Sequence, residues 1–227
     1  MMHCLQAPRI VMPCARNLRP RTRISSTAIE AATSSQTHFS CSSFSSSPSM
    51  PRRLILLRHA HSSWDDSSLR DHERPLSKAG RADAAKVSQI ICRLGWVPQL
   101  ILSSDAARTR ETLRIMQDQV GLLMEVEVHF IPSFYSIAAM DGQTAEHIQR
   151  TVCRFSTDEI TTVMCMGHNK GWEEAASFLA GAPVKLETCN AALLQASGKS
   201  WEEAFDLAGP GGWELHGVAT PDSNICV

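Results

Sequence analysis

A run of aliphatic residues that ends in Arg58 and His59 constrains the fold of this chain more than any other feature. Residues 53–57 read RLILL, which has the length and the unbroken apolar character of a strand buried on both faces of a parallel sheet. In open α/β sheets, ligands bind at the carboxyl ends of such strands. Arg58 and His59 would therefore emerge where a binding site is expected, although an Arg-His pair also occurs in solvated loops.

Two further strand-like segments end in side chains of similar chemistry. Residues 99–102 (QLIL) run into a turn and a helix that carries Arg108, and residues 160–166 (ITTVMCM) run into Gly167 and His168. Each reads as a βα unit. A cation in the first turn of a helix opposes the helix dipole, and an anion bound there would remove the conflict. Taken alone, Arg58-His59 and His168 are better explained as loop residues and Arg108 as a surface residue, but the three strand ends together favour an anion site.

The remaining pattern predicts a doubly wound α/β domain. Ser77 is expected to cap a helix that closes at Gly95, and Asp105 to cap the next helix. Further helices are expected over residues 144–155 and 171–180, and further strands over residues 126–131, 191–196 and 213–218. Residues 132–140 and 198–212 read as loops.

Read together, these segments resemble the histidine phosphatase superfamily, and within it the small SixA-type phosphohistidine phosphatases. The resemblance runs from about residue 53 to residue 221. Five segments carry it in order: LLRHAHSSWDD (56–66), DHERPLSKAGRADA (71–84), LSSDAARTRETL (102–113), MGHNKGWE (166–173) and TCNAALLQ (188–195). The RHA and RPLSKAGR segments point to the SixA-like branch rather than to phosphoglycerate mutases. The resemblance implies a three-layer α/β/α fold of the phosphoglycerate mutase type, with a mostly parallel central sheet.

The resemblance also implies a role for each residue at the strand ends. His59 would be the nucleophile of a phosphatase that forms a phosphohistidine, with its other ring nitrogen held by a backbone carbonyl. Arg58, Arg108 and His168 would surround the phosphoryl oxygens. No metal or other cofactor is implied. The substrate would be a phosphorylated protein, such as a phosphohistidine protein, or a small phosphorylated metabolite.

The general acid stays open at this stage. Asp65, Asp66 and Asp141 are candidates by position, but the first two also read as a solvated turn and the third as a helix cap. A non-catalytic phosphate-binding module of the same fold is therefore the alternative function. Tyr135 and Ser136 precede a loop that could line the mouth of the pocket, but packing is the favoured role for both.

Several neighbouring residues bear on substrate preference or lie outside the expected site. Lys170 and His61 replace the proline and the lysine common in relatives, which puts substrate preference in question. Arg110 is expected on the opposite face of its helix from Arg108 and is left out of the site.

The first 49 residues differ in composition from the rest. They contain five arginines, no lysine, one glutamate and a serine-rich tract over residues 40–49. Such composition is typical of organellar transit peptides, and the long serine tract favours the chloroplast over the mitochondrion. A disordered tail without a targeting role is the alternative. We therefore expect a disordered leader over residues 1–49 and a histidine phosphatase domain over residues 50–227.

The charge and hydropathy of the chain argue against nucleic acids and membranes as its partners. The whole chain has 22 basic and 23 acidic residues, and residues 50–227 keep 17 and 22 of them, so their formal charge is −5. A net negative domain argues against general nucleic-acid binding. No stretch reaches the apolar length of a membrane span. The pattern does not indicate an oligomeric state.

Overall fold

Residues 50–140 and 142–222 are described by the computed structural model, and they fold around one six-stranded sheet. The strands are β1 (Pro51–Arg58), β2 (Leu100–Ser103), β3 (Glu127–Phe130), β4 (Thr162–Gly167), β5 (Ala191–Ser197) and β6 (Glu214–Ala219). The helices are α1 (Lys78–Arg93), α2 (Ala107–Gln119), α3 (Ser133–Ile137), α4 (Thr144–Phe155), α5 (Gly171–Ala180) and α6 (Trp201–Ala208), and Asp71–Glu73 and Gly121–Met124 form 3₁₀ turns. The predicted leader and Asp141 lie outside the described residues.

The sheet is mostly parallel, as predicted. Its strand order is β3-β2-β4-β1-β5-β6, and the first four strands are parallel to one another. Only β5 runs the other way, pairing antiparallel with both β1 and β6. β2, β4 and β1 are therefore consecutive, and their carboxyl ends lie side by side at one edge.

Helices cover both faces of this sheet, which confirms the three-layer α/β/α prediction. Successive residues of β1 point to opposite faces: Leu54 and Leu56 pack with α3 to α6, while Ile55 and Leu57 pack with α1 and α2. All four side chains are fully buried. The unbroken apolar run in the sequence follows from this burial on both faces. In the part of the chain that the structure describes, no helix has the length and apolarity needed to cross a membrane.

The two predicted loops are wrong in part, because each contains a helix. In the segment 198–212, the Ser200 side chain accepts a hydrogen bond from the Glu203 backbone and starts α6, which buries Trp201 and Phe205. In the segment 132–140, α3 forms around the fully buried Phe134. Burial of an apolar side chain against the sheet stabilises these short helices more than their local sequence does.

The predicted caps of the first two helices differ in outcome. Ser77 caps α1 as expected, because its hydroxyl accepts a hydrogen bond from the Gly80 backbone. Asp105 does not cap α2, whose N-cap residue is Ala106. The Asp105 carboxylate instead lies 3.0 Å from Nε2 of His72, so a tertiary hydrogen bond replaces the local cap.

Gly167 ends β4 directly beneath a buried indole, and we expect Gly167→Ala to destabilise the fold. A Cβ atom there would lie 2.3 Å from the ring of Trp172, which is fully buried. Overpacking of this kind typically lowers the free energy of unfolding by about 1–3 kcal/mol. Denaturant unfolding measures the change, with Gly121→Ala as the control, because a Cβ there meets no atom within 4 Å. Equal stability of the two variants would contradict the expectation.

Candidate active site

Three adjacent strands bring the predicted site residues together. His59 follows β1, His168 follows β4, and Arg108 lies in the first turn of α2, after β2. Arg58 pairs with Gly167 in the β1–β4 register, so the two histidines that follow are neighbours, with ring centroids 5.0 Å apart. His59, Arg108 and His168 are each only 7% exposed.

The hydrogen bonds of His59 define its tautomer. Its Nδ1 lies 2.7 Å from the carbonyl oxygen of Ala60, and a carbonyl can only accept, so Nδ1 carries the proton. This is the backbone acceptor that the resemblance implied. The other nitrogen, Nε2, accepts a hydrogen bond of 3.1 Å from Nε of Arg108. The lone pair of Nε2 therefore points into the site rather than into the sheet.

Arg108 connects the two histidines with the segment that follows β1. Its Nη1 donates to the Asp71 carbonyl at 2.6 Å, and its Nη2 donates to the Asp71 carboxylate at 3.0 Å. The same Nη2 lies 3.3 Å from Nδ1 of His168. Because a guanidinium can only donate, Nδ1 of His168 is the acceptor, and its Nε2 donates to the Ser104 hydroxyl at 2.8 Å. Nε, Nη1 and Nη2 of Arg108 thus all make hydrogen bonds, which fix the orientation of the guanidinium.

Arg58, which directly precedes His59, has only part of its hydrogen-bonding capacity satisfied. Its Nη1 donates to the Leu186 carbonyl at 2.9 Å. Its Nε is buried and has no hydrogen-bond partner among the described residues. A buried donor without a partner is destabilising unless something else occupies the position, so this N–H is available to a ligand atom.

Asp71 and Tyr135 belong to the site, although sequence reasoning did not place them there. The Tyr135 hydroxyl donates to the Asp71 carboxylate at 2.8 Å, beside the Arg108 contact. The expectation that Tyr135 and Ser136 merely pack is wrong, because both line the cleft described below. Helix α3 accounts for this: it buries Phe134 and turns the next two side chains outward.

A cleft of about 290 Å³ lies beside these groups, and of the four predicted site residues Arg108 and His168 line it, whereas Arg58 and His59 do not. Its lining consists of Asp71, Arg108, Tyr135, Ser136, Ala138, Ala139, His168, Asn169 and Lys170. A larger cavity of about 490 Å³, lined by residues of α4, α5 and the segment after α5, contains none of the four predicted site residues. Volume alone would therefore have pointed to the wrong place, and the convergence of charged side chains locates the site.

Of the carboxylates considered as general acids, Asp65 and Asp66 do not line the cleft, and Asp141 lies outside the described residues. Asp65 and Asp66 are exposed and accept hydrogen bonds from Ser63 and Ser68, as expected of a solvated turn. Asp71 is the carboxylate that lines the cleft. Partial burial opposes its ionisation, but hydrogen bonds from Tyr135 and Arg108 hold its pKa below the usual range. It is thus an anion that positions Arg108 rather than a ready proton donor.

Other residues singled out in the sequence lie around the cleft or away from it. Lys170 is exposed and lines the cleft, so it adds a cation at the mouth. His61 is exposed and lies 3.0 Å from the Ser77 hydroxyl. Arg110 points away, as expected: its Nε donates to the Asp105 carbonyl and its guanidinium covers Phe130. Among the described residues, no group of three or more His, Cys, Asp or Glu side chains is arranged to hold a metal ion.

Burial keeps both site histidines neutral. Desolvation lowers the pKa of His59 to about 4; Arg108 and Arg58 act in the same direction, and the Ala60 carbonyl opposes them. Burial also lowers the pKa of His168 to about 2, with His59 and Arg108 contributing. Both rings are therefore unprotonated at neutral pH, so that the lone pair on Nε2 of His59 is available.

The lowered pKa of His59 predicts an unusual acid limb in the pH profile. Activity that needs neutral His59 should rise with pH through about 4 and then level off, rather than rise through the ordinary histidine value of 6.5. The measurement is kcat/KM from pH 3.5 to 8, corrected for the phosphate ionisation of the substrate alone. An acid limb centred near 6.5 would show that His59 is not desolvated as described.

Comparisons with known proteins agree with this geometry. The model of the histidine phosphatase superfamily (branch 1) matches residues 54–159. An uncharacterised chloroplastic protein of Arabidopsis thaliana is 72% identical over 188 residues, which cover 82% of this chain and 86% of that protein.

Two solved structures share the fold. A candidate phosphohistidine phosphatase SixA from Agrobacterium tumefaciens is 26% identical, with a TM-score of 0.56, and the match covers 74% of this chain and 97% of that one. The protein histidine phosphatase SixA in complex with tungstate has a TM-score of 0.60 at 15% identity, covering 75% and 97% of the two chains. The chain therefore belongs to the histidine phosphatase superfamily and is SixA-like within it.

Proposed function

We propose that this protein is a phosphatase that acts through a phosphohistidine intermediate on His59. The observation that carries the proposal is the state of that ring: Nδ1–H is fixed on the Ala60 carbonyl, and the lone pair of Nε2 faces the site. Nε2 attacks phosphorus, and the bond from phosphorus to the leaving group breaks. Water then attacks the phosphorus, the bond to Nε2 breaks, and inorganic phosphate leaves.

The surrounding donors are suited to the charge that develops on the phosphoryl oxygens. Arg108 gives its Nε–H to Nε2 of His59 in the absence of substrate, and this N–H is free to turn to a phosphoryl oxygen once the lone pair attacks. Arg58, the residue before His59, has a buried Nε–H without a partner among the described residues. The ring of His168 lies 5.0 Å from that of His59, and its N–H, which donates to Ser104, would have to turn to donate to a phosphoryl oxygen. Preorganised donors of this kind carry most of the catalysis in phosphoryl transfer. The proposed reaction needs no metal ion.

The substrate class follows from the described lining of the cleft, which contains no protonated carboxyl group. The carboxylate in the cleft, Asp71, is ionised and already paired, so protonation of the leaving group would come from solvent or from the substrate. In a phosphohistidine the leaving group is a ring nitrogen, which depends less on protonation by a general acid than an alkoxide does. We therefore favour a phosphohistidine protein over a small phosphoester. The proposed phosphatase function covers both substrate classes.

A phosphate-binding module without turnover is the second candidate function. The absence of a protonated carboxyl group among the described residues that line the cleft is the observation in its favour. Such a module would bind phosphate or vanadate at Arg58, Arg108 and His168, but would not pass phosphate on to water.

We also propose that residues 1–49 are a transit peptide that directs the domain of residues 50–227 to the chloroplast. The Arg- and Ser-rich, acid-poor composition supports this. The related protein of Arabidopsis thaliana is named chloroplastic, which supports the same compartment. A fluorescent fusion of residues 1–49 that stays in the cytosol, or that enters mitochondria, would overturn the assignment.

The experiment that tests the proposed function is hydrolysis of a histidine-phosphorylated polypeptide and of a generic phosphoester by the full chain, with and without a chelator. Turnover that survives the chelator supports the metal-independent phosphatase. Loss of turnover with the chelator would overturn the proposed metal independence. No turnover with either substrate, while vanadate still binds, would move the assignment to the binding module.

A further inference from the structure

Trp64 is the one tryptophan of this chain that is left in solvent. Four of the five tryptophans (Trp96, Trp172, Trp201 and Trp213) are at most 5% exposed, whereas Trp64 is 68% exposed. An exposed indole is unfavourable in water, and tryptophan is enriched at the centres of protein interfaces. The exposed position of Trp64 therefore favours a role in binding another molecule.

A buried cation holds this indole in place from below. The guanidinium carbon of Arg74 lies 3.5 Å from the centroid of the Trp64 ring, so one face of the indole is covered and the other is free. Nε and Nη1 of Arg74 are buried and make no hydrogen bond among the described residues. The cation–π contact therefore attaches the Arg74 head group to Trp64, and it supports the indole as a flat, solvent-facing surface.

The same contacts place Trp64 beside the cleft. Nε of Arg74 lies 3.9 Å from Oδ1 of Asp71, and the other carboxylate oxygen of Asp71 accepts from Arg108. Arg74 therefore stands between the indole and a residue that lines the cleft.

The chain directly before Trp64 is anchored to the segment that contains Pro75 and Leu76. Ser63 N–H donates to the Pro75 carbonyl at 2.8 Å, and Leu76 N–H donates to the Glu111 carboxylate at 2.7 Å. A bridge between Ser62 and Leu76 closes the segment. Trp64 is consequently part of a fixed rim, which reduces the entropy lost when a ligand binds there.

We propose that Trp64, supported by Arg74, is a docking surface for the polypeptide next to the phosphorylated residue of a protein substrate. This inference rests on the proposed phosphatase function of the cleft. The cleft itself, of about 290 Å³, accommodates a phosphorylated side chain, so further recognition has to come from the rim. An extended polypeptide advances about 3.3 Å per residue, and a residue a few positions from the phosphorylated one would reach the indole. An apolar or aromatic side chain fits its free face.

The test compares two substrates with the same leaving group: phosphohistidine within a tryptophan-free polypeptide, and free phosphohistidine. In the full chain, Trp64→Ala should lower kcat/KM for the polypeptide about 5- to 30-fold, which corresponds to about 1–2 kcal/mol of binding free energy, and leave kcat/KM for free phosphohistidine unchanged. Trp64→Phe should lower kcat/KM for the polypeptide less than Trp64→Ala does. Leu207→Ala is the matched control, because Leu207 is 70% exposed and lies on α6.

A second measurement does not depend on turnover. Because the other four tryptophans are buried, quenching of fluorescence by acrylamide reports mainly on Trp64, and Trp64→Phe identifies its contribution. The histidine-phosphorylated polypeptide should protect Trp64 from the quencher, whereas inorganic phosphate should not.

The outcomes separate the two proposals. If the wild type and His59→Ala hydrolyse each substrate at the same rate, the phosphatase proposal fails. The quenching measurement then still tests the docking surface, because it does not depend on turnover. An equal loss for both substrates, no loss for either, or no protection of Trp64 by the polypeptide would overturn the docking surface while leaving the phosphatase proposal standing.

Discussion

His59→Ala is expected to remove turnover of every phosphorylated substrate. Loss of the nucleophile leaves no group to accept the phosphoryl, and the rate should fall by at least about 10³-fold, the usual order for the nucleophile of a covalent mechanism. The variant should still fold, because among the described residues the His59 ring makes hydrogen bonds only with Ala60 and Arg108. Steady-state hydrolysis measures the fall, and denaturant unfolding checks the fold.

The same variant should lose the covalent intermediate. Wild-type protein mixed with radiolabelled phosphohistidine polypeptide and stopped in alkali should retain label, because phosphohistidine is stable to alkali, and acid should release it. His59→Ala should retain none. His216→Ala is the control, since His216 is exposed on β6. Normal hydrolysis by His59→Ala would mean that water attacks the substrate directly and that the proposed mechanism is wrong.

The placement of the four predicted site residues could be inferred from sequence because it depends on local patterns. Each of β1 and β4 is a short apolar run, and the polar residues directly after it must lie at the carboxyl edge of a parallel sheet. Neither the strand order nor the register was needed for this inference. The register, with Arg58 opposite Gly167, then brings His59 and His168 within 5.0 Å.

Residues whose role depends on distant contacts could not be inferred in this way. Asp71 bonds Arg108, which is 37 positions away, and Tyr135, which is 64 positions away. Its side chain is half exposed, so no hydrophobic period marks it. Only the fold shows that the turn after β1 crosses the start of α2. Asp71 did lie in a segment that resembles the family, and an acid beside a predicted arginine cluster is the signal that could have identified it.

The two helices missed in the sequence show a different limit. Both α3 and α6 are short, and their formation depends on burying Phe134, Trp201 and Phe205 against a sheet that local reasoning cannot position. The α6 segment nonetheless has a Ser200-x-x-Glu203 pattern that is typical of a helix start. The glycines and the proline after it favoured the loop interpretation.

Arg108→Lys is expected to reduce kcat/KM by about 10²- to 10³-fold, the range found when one preorganised donor to a developing oxyanion is lost. The substitution keeps the positive charge. It removes the planar fork that reaches His59, Asp71 and His168 from one side chain. A lysine ammonium cannot donate to all three positions at once, so Asp71 and the phosphoryl oxygens would compete for it. The loss should appear mainly in kcat, because the donors are needed most as charge develops.

Arg110→Lys separates this effect from a general change in helix α2. Arg110 lies two residues away on the same helix, is exposed, and contacts Phe130 and the Asp105 carbonyl rather than the cleft. Its substitution should leave kcat/KM within about twofold, because surface changes of this kind have small effects. If Arg108→Lys were equally harmless, positive charge alone would suffice at this position. The hydrogen-bonded orientation of the guanidinium, on which the proposed geometry depends, would then have no catalytic role.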